Sequence, residues 1–100
     1  MKLSKVYFIR AKGVGAIKVG FTSDLKGRFQ NLKGASPVDL EILTSFSGTL
    51  EDEKAIHDIL ADHRLHGEWF KESAVIAFLK VVEDERKPEE WFQGAMKRAF

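Results

Sequence analysis

The chain opens on two short alternating patterns. Val6 and Phe8 alternate with Tyr7 and Ile9, and Ile17, Val19 and Phe21 alternate with Lys18 and Gly20. Gly13-Val14-Gly15 supplies turn residues between them, so the pattern predicts an antiparallel hairpin. A period of two places Val6 and Phe8 on one core face with Ile17, Val19 and Phe21. Tyr7 and Lys18 then share the opposite face, as direct or diagonal neighbours.

The spacing next turns helical. Leu25, Phe29 and Leu32 recur at helix period behind Ser23 or Asp24 as cap, predicting a helix that ends near Gly34 and Pro37, with Arg28 beside its apolar stripe. Leu40, Ile42 and Leu43 lead toward Phe46 as a third strand that Gly48 ends. Thr49 and Asp52 resemble a capping box for a helix over about 50–65, with an apolar arc of Ile56, Ile59 and Leu60, His63 inside it, and Gly67 in the left-handed position after its end. At about 100° per residue, Glu53 lies roughly 60° from the centre of that arc and His57 roughly 100°, on the same side. Glu53 is therefore a rim carboxylate. Glu68-Trp69-Phe70 reads as a short apolar step before a helix over about 73–85 carrying Val75, Phe78, Leu79 and Val82. A charge run from Glu83 to Lys87 follows, and Pro88 opens a last amphipathic helix bearing Trp91, Phe92, Ala95, Met96 and Ala99.

One hundred residues with 44% apolar content can fill a single core. The absence of cysteine excludes a disulfide framework and a thiolate zinc site. The apolar run behind Met1 is too short, and is broken by Arg10, for a signal peptide or membrane span, so a cytoplasmic location is expected. The net charge of +1 is unevenly spread: residues 1–36 hold eight Lys or Arg and one acid, Asp24. A basic lobe of this kind can steer a polyanion toward one face.

Taken singly, Tyr7 reads as a packed strand tyrosine, Lys18 as a solvated lysine, Arg28 as a helix-surface arginine, and Glu53 with His57 as an i, i+4 pair. Together they supply a phenol, an ammonium, a guanidinium and a carboxylate, the groups needed to cleave a phosphodiester with one divalent metal ion. Mg²⁺ keeps several waters and needs only one or two protein carboxylates, so Glu53 can suffice. Arg28 can stabilise charge on the phosphate through paired N–H donors.

The order of a strand with Tyr7, a strand with Lys18-Val19-Gly20, a helix with Arg28 and a helix with Glu53 resembles the GIY-YIG nuclease superfamily. The segment from Val19 to Arg28 carries most of the resemblance, and Glu53 to His57 with Gly67-Glu68-Trp69-Phe70 resembles its small phage-type branch. Lys18 stands where the second motif usually has tyrosine. The resemblance implies an α+β fold, a GIY-YIG-like three-stranded antiparallel sheet flanked by helices, over residues 1–80. Residues 81–100 would form a C-terminal amphipathic helix packed on the same domain or on a second copy as a homodimer. It further implies a DNA endonuclease using Mg²⁺ or Mn²⁺, with Tyr7 activating water, Lys18 favouring the phenolate, Arg28 stabilising phosphate charge, Glu53 binding the metal and His57 positioning water or leaving group. The alternatives are a non-catalytic nucleic-acid-binding or protein-interaction module of the same fold, and an interaction protein working through the terminal helix.

Overall fold

The computed structural model describes residues 4–85. The elements run β1 (Lys5–Ala11), β2 (Ala16–Thr22), α1 (Leu25–Ala35), β3 (Leu40–Ser47), α2 (Leu50–Ile59), a 3-10 turn (Ala61–His63), β4 (Arg64–His66), β5 (Trp69–Lys71) and α3 (Glu72–Glu85). All strands pair antiparallel in one sheet of order β3-β1-β2-β5-β4. Among the described residues, no helix is long and apolar enough to cross a membrane.

Helices cover both faces of the sheet, and this explains why Val6, Tyr7, Phe8 and Ile9 are all fully buried in the inner strand β1. On one face Val6, Phe8, Ile17, Val19 and Phe70 pack with Ile56 and Leu60 of α2 and Val75 and Leu79 of α3. On the other, Tyr7, Ile9, Ala11 and Leu40 pack beneath Leu25, Phe29 and Leu32 of α1. The predicted hairpin face is therefore a second core. A register shift between Phe8 and Ile9 leaves Leu43 as an extra residue in β3, because Phe8 faces Thr44 while Ile9 faces Ile42. The bulge puts Leu40 on the α1 side while Phe46 packs on the α2 and α3 side, which an unbroken period of two would forbid.

Local signals place the helix starts. The Asp24 side chain accepts the Gly27 amide at the start of α1. The Thr49 hydroxyl accepts the Asp52 amide while the Asp52 carboxylate accepts the Thr49 amide, a complete capping box for α2.

The sheet has five strands, not the expected three, and the second long helix ends at Ile59 rather than near residue 65. Both corrections share a cause. β1 occupies one edge of β2 and leaves the other edge unpaired, and β5 satisfies it at Ala16, Ile17 and Lys18 while burying Phe70 completely. The chain must then leave α2 early enough to form the β4–β5 hairpin. Gly67 does hold a left-handed backbone, φ 56°, but in the turn of that hairpin. Ile59, expected in the core arc, is 64% exposed, and it borders an open groove with His63, Phe78 and Val81. The expected terminal helix, its Trp91 stripe and any homodimer built on it lie outside the described residues.

Candidate active site

The β1–β2 register sets Tyr7 opposite Gly20 and Ile9 opposite Lys18, so Tyr7 and Lys18 are diagonal neighbours on the α1 side of the sheet. Tyr7 is fully buried, and its phenol lies directly on Gly20. A Cβ at residue 20 would stand 2.2 Å from both Cζ and the hydroxyl oxygen of Tyr7, so any side chain there displaces the ring. Buried Thr22 accepts the Asp24 amide at 3.0 Å, and Asp24 caps α1, which fixes how the helix leaves the strand. Arg28, one turn later, reaches back so that its Nη1 donates to the Tyr7 hydroxyl at 3.5 Å, a long contact.

A charged cluster forms where the pairing of β2 with β5 ends. Lys18 opposite Trp69 is the last β2–β5 pair, after which the Val19 amide donates to the Glu68 carbonyl at 2.9 Å. Beyond that pair the Val19 carbonyl has the His57 Nε2 2.8 Å away. A carbonyl only accepts, so Nε2 carries the proton and in the neutral ring the lone pair rests on Nδ1. The His57 ring packs against Phe70 with centroids 5.0 Å apart.

Glu53, one turn earlier on α2, has a side chain only 9% exposed, and its Oε1 lies 4.0 Å from His57 Nε2. Among the described residues its carboxylate accepts no hydrogen bond. Burial, then the negative charge of Glu68, raises its pKa above the ordinary 4.5, against the smaller opposing effects of His57, Lys18 and Lys54. A buried carboxylate beside a second carboxylate is a setting that a bound cation relieves. Glu68, in the β4–β5 turn, binds Lys18 Nζ at 2.8 Å through Oε1.

The structure thus brings the five expected residues into two groups, Tyr7 with Arg28, and Lys18 with Glu53 and His57. Both are anchored on one peptide unit, since His57 holds the Val19 carbonyl and the Tyr7 phenol rests on the Cα of Gly20. Glu68 was not foreseen. Its only signal in the sequence is a carboxylate between the turn residue Gly67 and the apolar pair Trp69-Phe70.

Glu53, His57 and Glu68 each offer a ligand atom, all within 4.8 Å of one another. An octahedral ion with bonds of about 2.1 Å holds neighbouring ligands about 3.0 Å apart and opposite ones about 4.2 Å, so the three side chains would draw together to close around a metal. Two carboxylates and an imidazole are donors that a divalent cation accepts. The group could hold a metal ion by its own chemistry.

The profile of the T5orf172 domain matches residues 5–99 of the chain. No curated protein and no solved structure matches it.

Proposed function

Since the chain belongs to the T5orf172 domain family, a phage-associated domain linked to nucleases, we propose that it is a divalent-metal-dependent endonuclease hydrolysing phosphodiester bonds in DNA. The observation that carries the reading is the anchoring of a phenol–guanidinium pair and a carboxylate–imidazole–carboxylate group on the single Val19–Gly20 peptide. The resemblance to GIY-YIG nucleases in the order of Tyr7, Lys18, Arg28 and Glu53 supports it.

In this reading Glu53 is the primary metal ligand, with His57 beside it. Mg²⁺ or Mn²⁺ would supply charge neutralisation at the phosphate and a more acidic bound water. In its phenolate form Tyr7 would take a proton from the attacking water as the new P–O bond forms and the bond from phosphorus to the leaving sugar oxygen breaks, that oxygen taking a proton from solvent. Arg28 donates N–H groups to the phosphate oxygens as negative charge builds on them. Lys18 adds positive charge on the side of the sheet that bears the phenol. Exposed Lys26, Arg28 and Lys33 on α1 present cations toward a nucleic-acid backbone.

One observation favours a second reading, a nucleic-acid-binding module without turnover: Tyr7 has no exposed surface, and its hydroxyl has the Arg28 guanidinium 3.5 Å away.

Nicking of supercoiled plasmid by the intact chain, with Mg²⁺, with Mn²⁺ and with chelator, separates the two. Metal-dependent nicking that disappears in Glu53→Ala and Tyr7→Phe is expected. Salt-sensitive DNA binding with no cutting in either metal would establish the binding module instead.

A further inference from the structure

Glu68 is drawn in two directions. Its Oε1 holds the ammonium of Lys18 at 2.8 Å, an ion pair in which the Lys18 side chain is only 14% exposed. The same carboxylate completes the group of three potential ligands with Glu53 and His57. The Glu53 carboxylate, 9% exposed and accepting no hydrogen bond among the described residues, lies within reach of both other ligand candidates. Its neighbour His57 donates Nε2–H to a backbone carbonyl, as ligating histidines usually do through their second nitrogen, which leaves the Nδ1 lone pair as the one that could ligate. An ammonium and a divalent cation sharing one carboxylate repel each other, so each weakens the other's hold on it.

We propose that Glu68 is an exchange ligand: it holds Lys18 in the metal-free protein and turns to a divalent cation at Glu53 and His57, releasing Lys18 to a phosphate oxygen of bound DNA. The cation then does two things with one event. It completes the metal site, and it frees a positive charge that was neutralised. Lys18 lies on β2 two residues before Gly20, diagonal to Tyr7, so the released ammonium starts from the strand that carries the phenol. Its second contact, the Trp69 ring with centroid 5.8 Å from Nζ, is weak enough to leave on release. The phosphate half of this proposal rests on the nuclease reading. The metal half does not.

Manganese binding to the full chain without DNA, followed by titration calorimetry or by the EPR signal of free Mn²⁺, tests it. Glu68→Gln is expected to weaken binding by about tenfold or more. Lys18→Met is expected to strengthen it severalfold in the parent chain, and by at least about threefold less in the Glu68→Gln background, because the two residues act through one contact. Lys18 lies on β2, paired with Ile9 on one side and Trp69 on the other, and Glu68 lies in the β4–β5 turn, so thermal melts of the metal-free variants verify folding. With Ca²⁺ as a non-cleaving ion, the slope of log K for DNA against log salt should steepen by about one unit, and Lys18→Met should remove that increment.

Unchanged Mn²⁺ affinity in Glu68→Gln, alongside loss of binding in Glu53→Gln, overturns the exchange and leaves the nuclease reading standing. Additive effects of Lys18→Met and Glu68→Gln overturn the exchange as well. No Mn²⁺ binding by the intact chain would overturn the exchange and the metal-dependent reading together.

Discussion

The two groups that meet at the Val19–Gly20 peptide are built on opposite principles. On the α1 side, Tyr7 is held by shape: a fully buried ring lies on a glycine, and its one polar contact is a long one to Arg28. On the α2 and β5 side, the residues are held by charge and hydrogen bonding: His57 to a carbonyl, Lys18 to Glu68, and Glu53 beside both carboxylate and imidazole with no donor of its own. The first is a packing solution and tolerates little change in volume. The second tolerates volume change and is sensitive to the loss or gain of a charge. A site assembled this way fixes the phenol sterically and leaves the charged groups free to rearrange around a ligand.

Substitutions that add volume should break the first group hardest. Gly20→Ala places a methyl group 2.2 Å from the Tyr7 ring and hydroxyl, and is expected to cost about 3 kcal/mol, or on the order of 10–20 °C in Tm. Tyr7→Phe keeps Cζ and so should not rescue it; a rescued melt would mean that the ring moves freely.

His57→Ala removes the partner of the Val19 carbonyl and the ring packed on Phe70. The expected loss is about 1–2 kcal/mol, read by thermal or urea denaturation. A neutral result would show that solvent replaces the imidazole without penalty.

Glu53→Gln should have the opposite sign. Burial and Glu68 raise the folded-state pKa of Glu53, so between the unfolded value near 4.5 and the folded one the native state binds more protons than the unfolded state, and stability falls as pH rises. Glutamine cannot ionise. The variant should be more stable by about 1 kcal/mol above that window, with the difference shrinking to nothing at pH below 4.5. Equal melts of parent and variant at pH 8 would show that the carboxylate has found a partner. If the same substitution also ends nicking, Glu53 is retained for chemistry at a cost in stability.

Tyr7→Phe should change stability least, by under about 0.5 kcal/mol, because the Arg28 contact that it deletes is 3.5 Å long. Loss of nicking with an unchanged melt would separate the role of the hydroxyl from that of the ring.

Much of this arrangement was legible in the residues. The two alternating runs put Tyr7 and Lys18 on one face as direct or diagonal neighbours, and the register, with Tyr7 opposite Gly20, makes them diagonal. Asp24, and Thr49 with Asp52, marked the starts of the helices that carry Arg28 and Glu53. These are short-range signals, fixed within a turn or a hairpin. The β4–β5 hairpin was not legible, because two three-residue strands carry too few positions to show a period, and the spacing from Leu60 to His63 imitates a continuing helix. Glu68 was missed for the same reason, since its partner Lys18 lies fifty residues away and only strand pairing joins them. The bulge at Leu43 left a trace in the adjacent apolar pair Ile42-Leu43, where strict alternation would have placed a polar residue.

The hydrogen bond from His57 to the Val19 carbonyl also bears on how copies of this chain behave toward one another. β5 covers β2 only as far as Lys18, so beyond that pair the strand would offer an unsatisfied acceptor to any extended peptide that drifted alongside. A side chain from α2 occupies that acceptor, closing the ladder where the neighbouring strand runs out. The imidazole thereby guards against edge-to-edge assembly, and a protein lacking it would be expected to associate through this part of β2 as concentration rises.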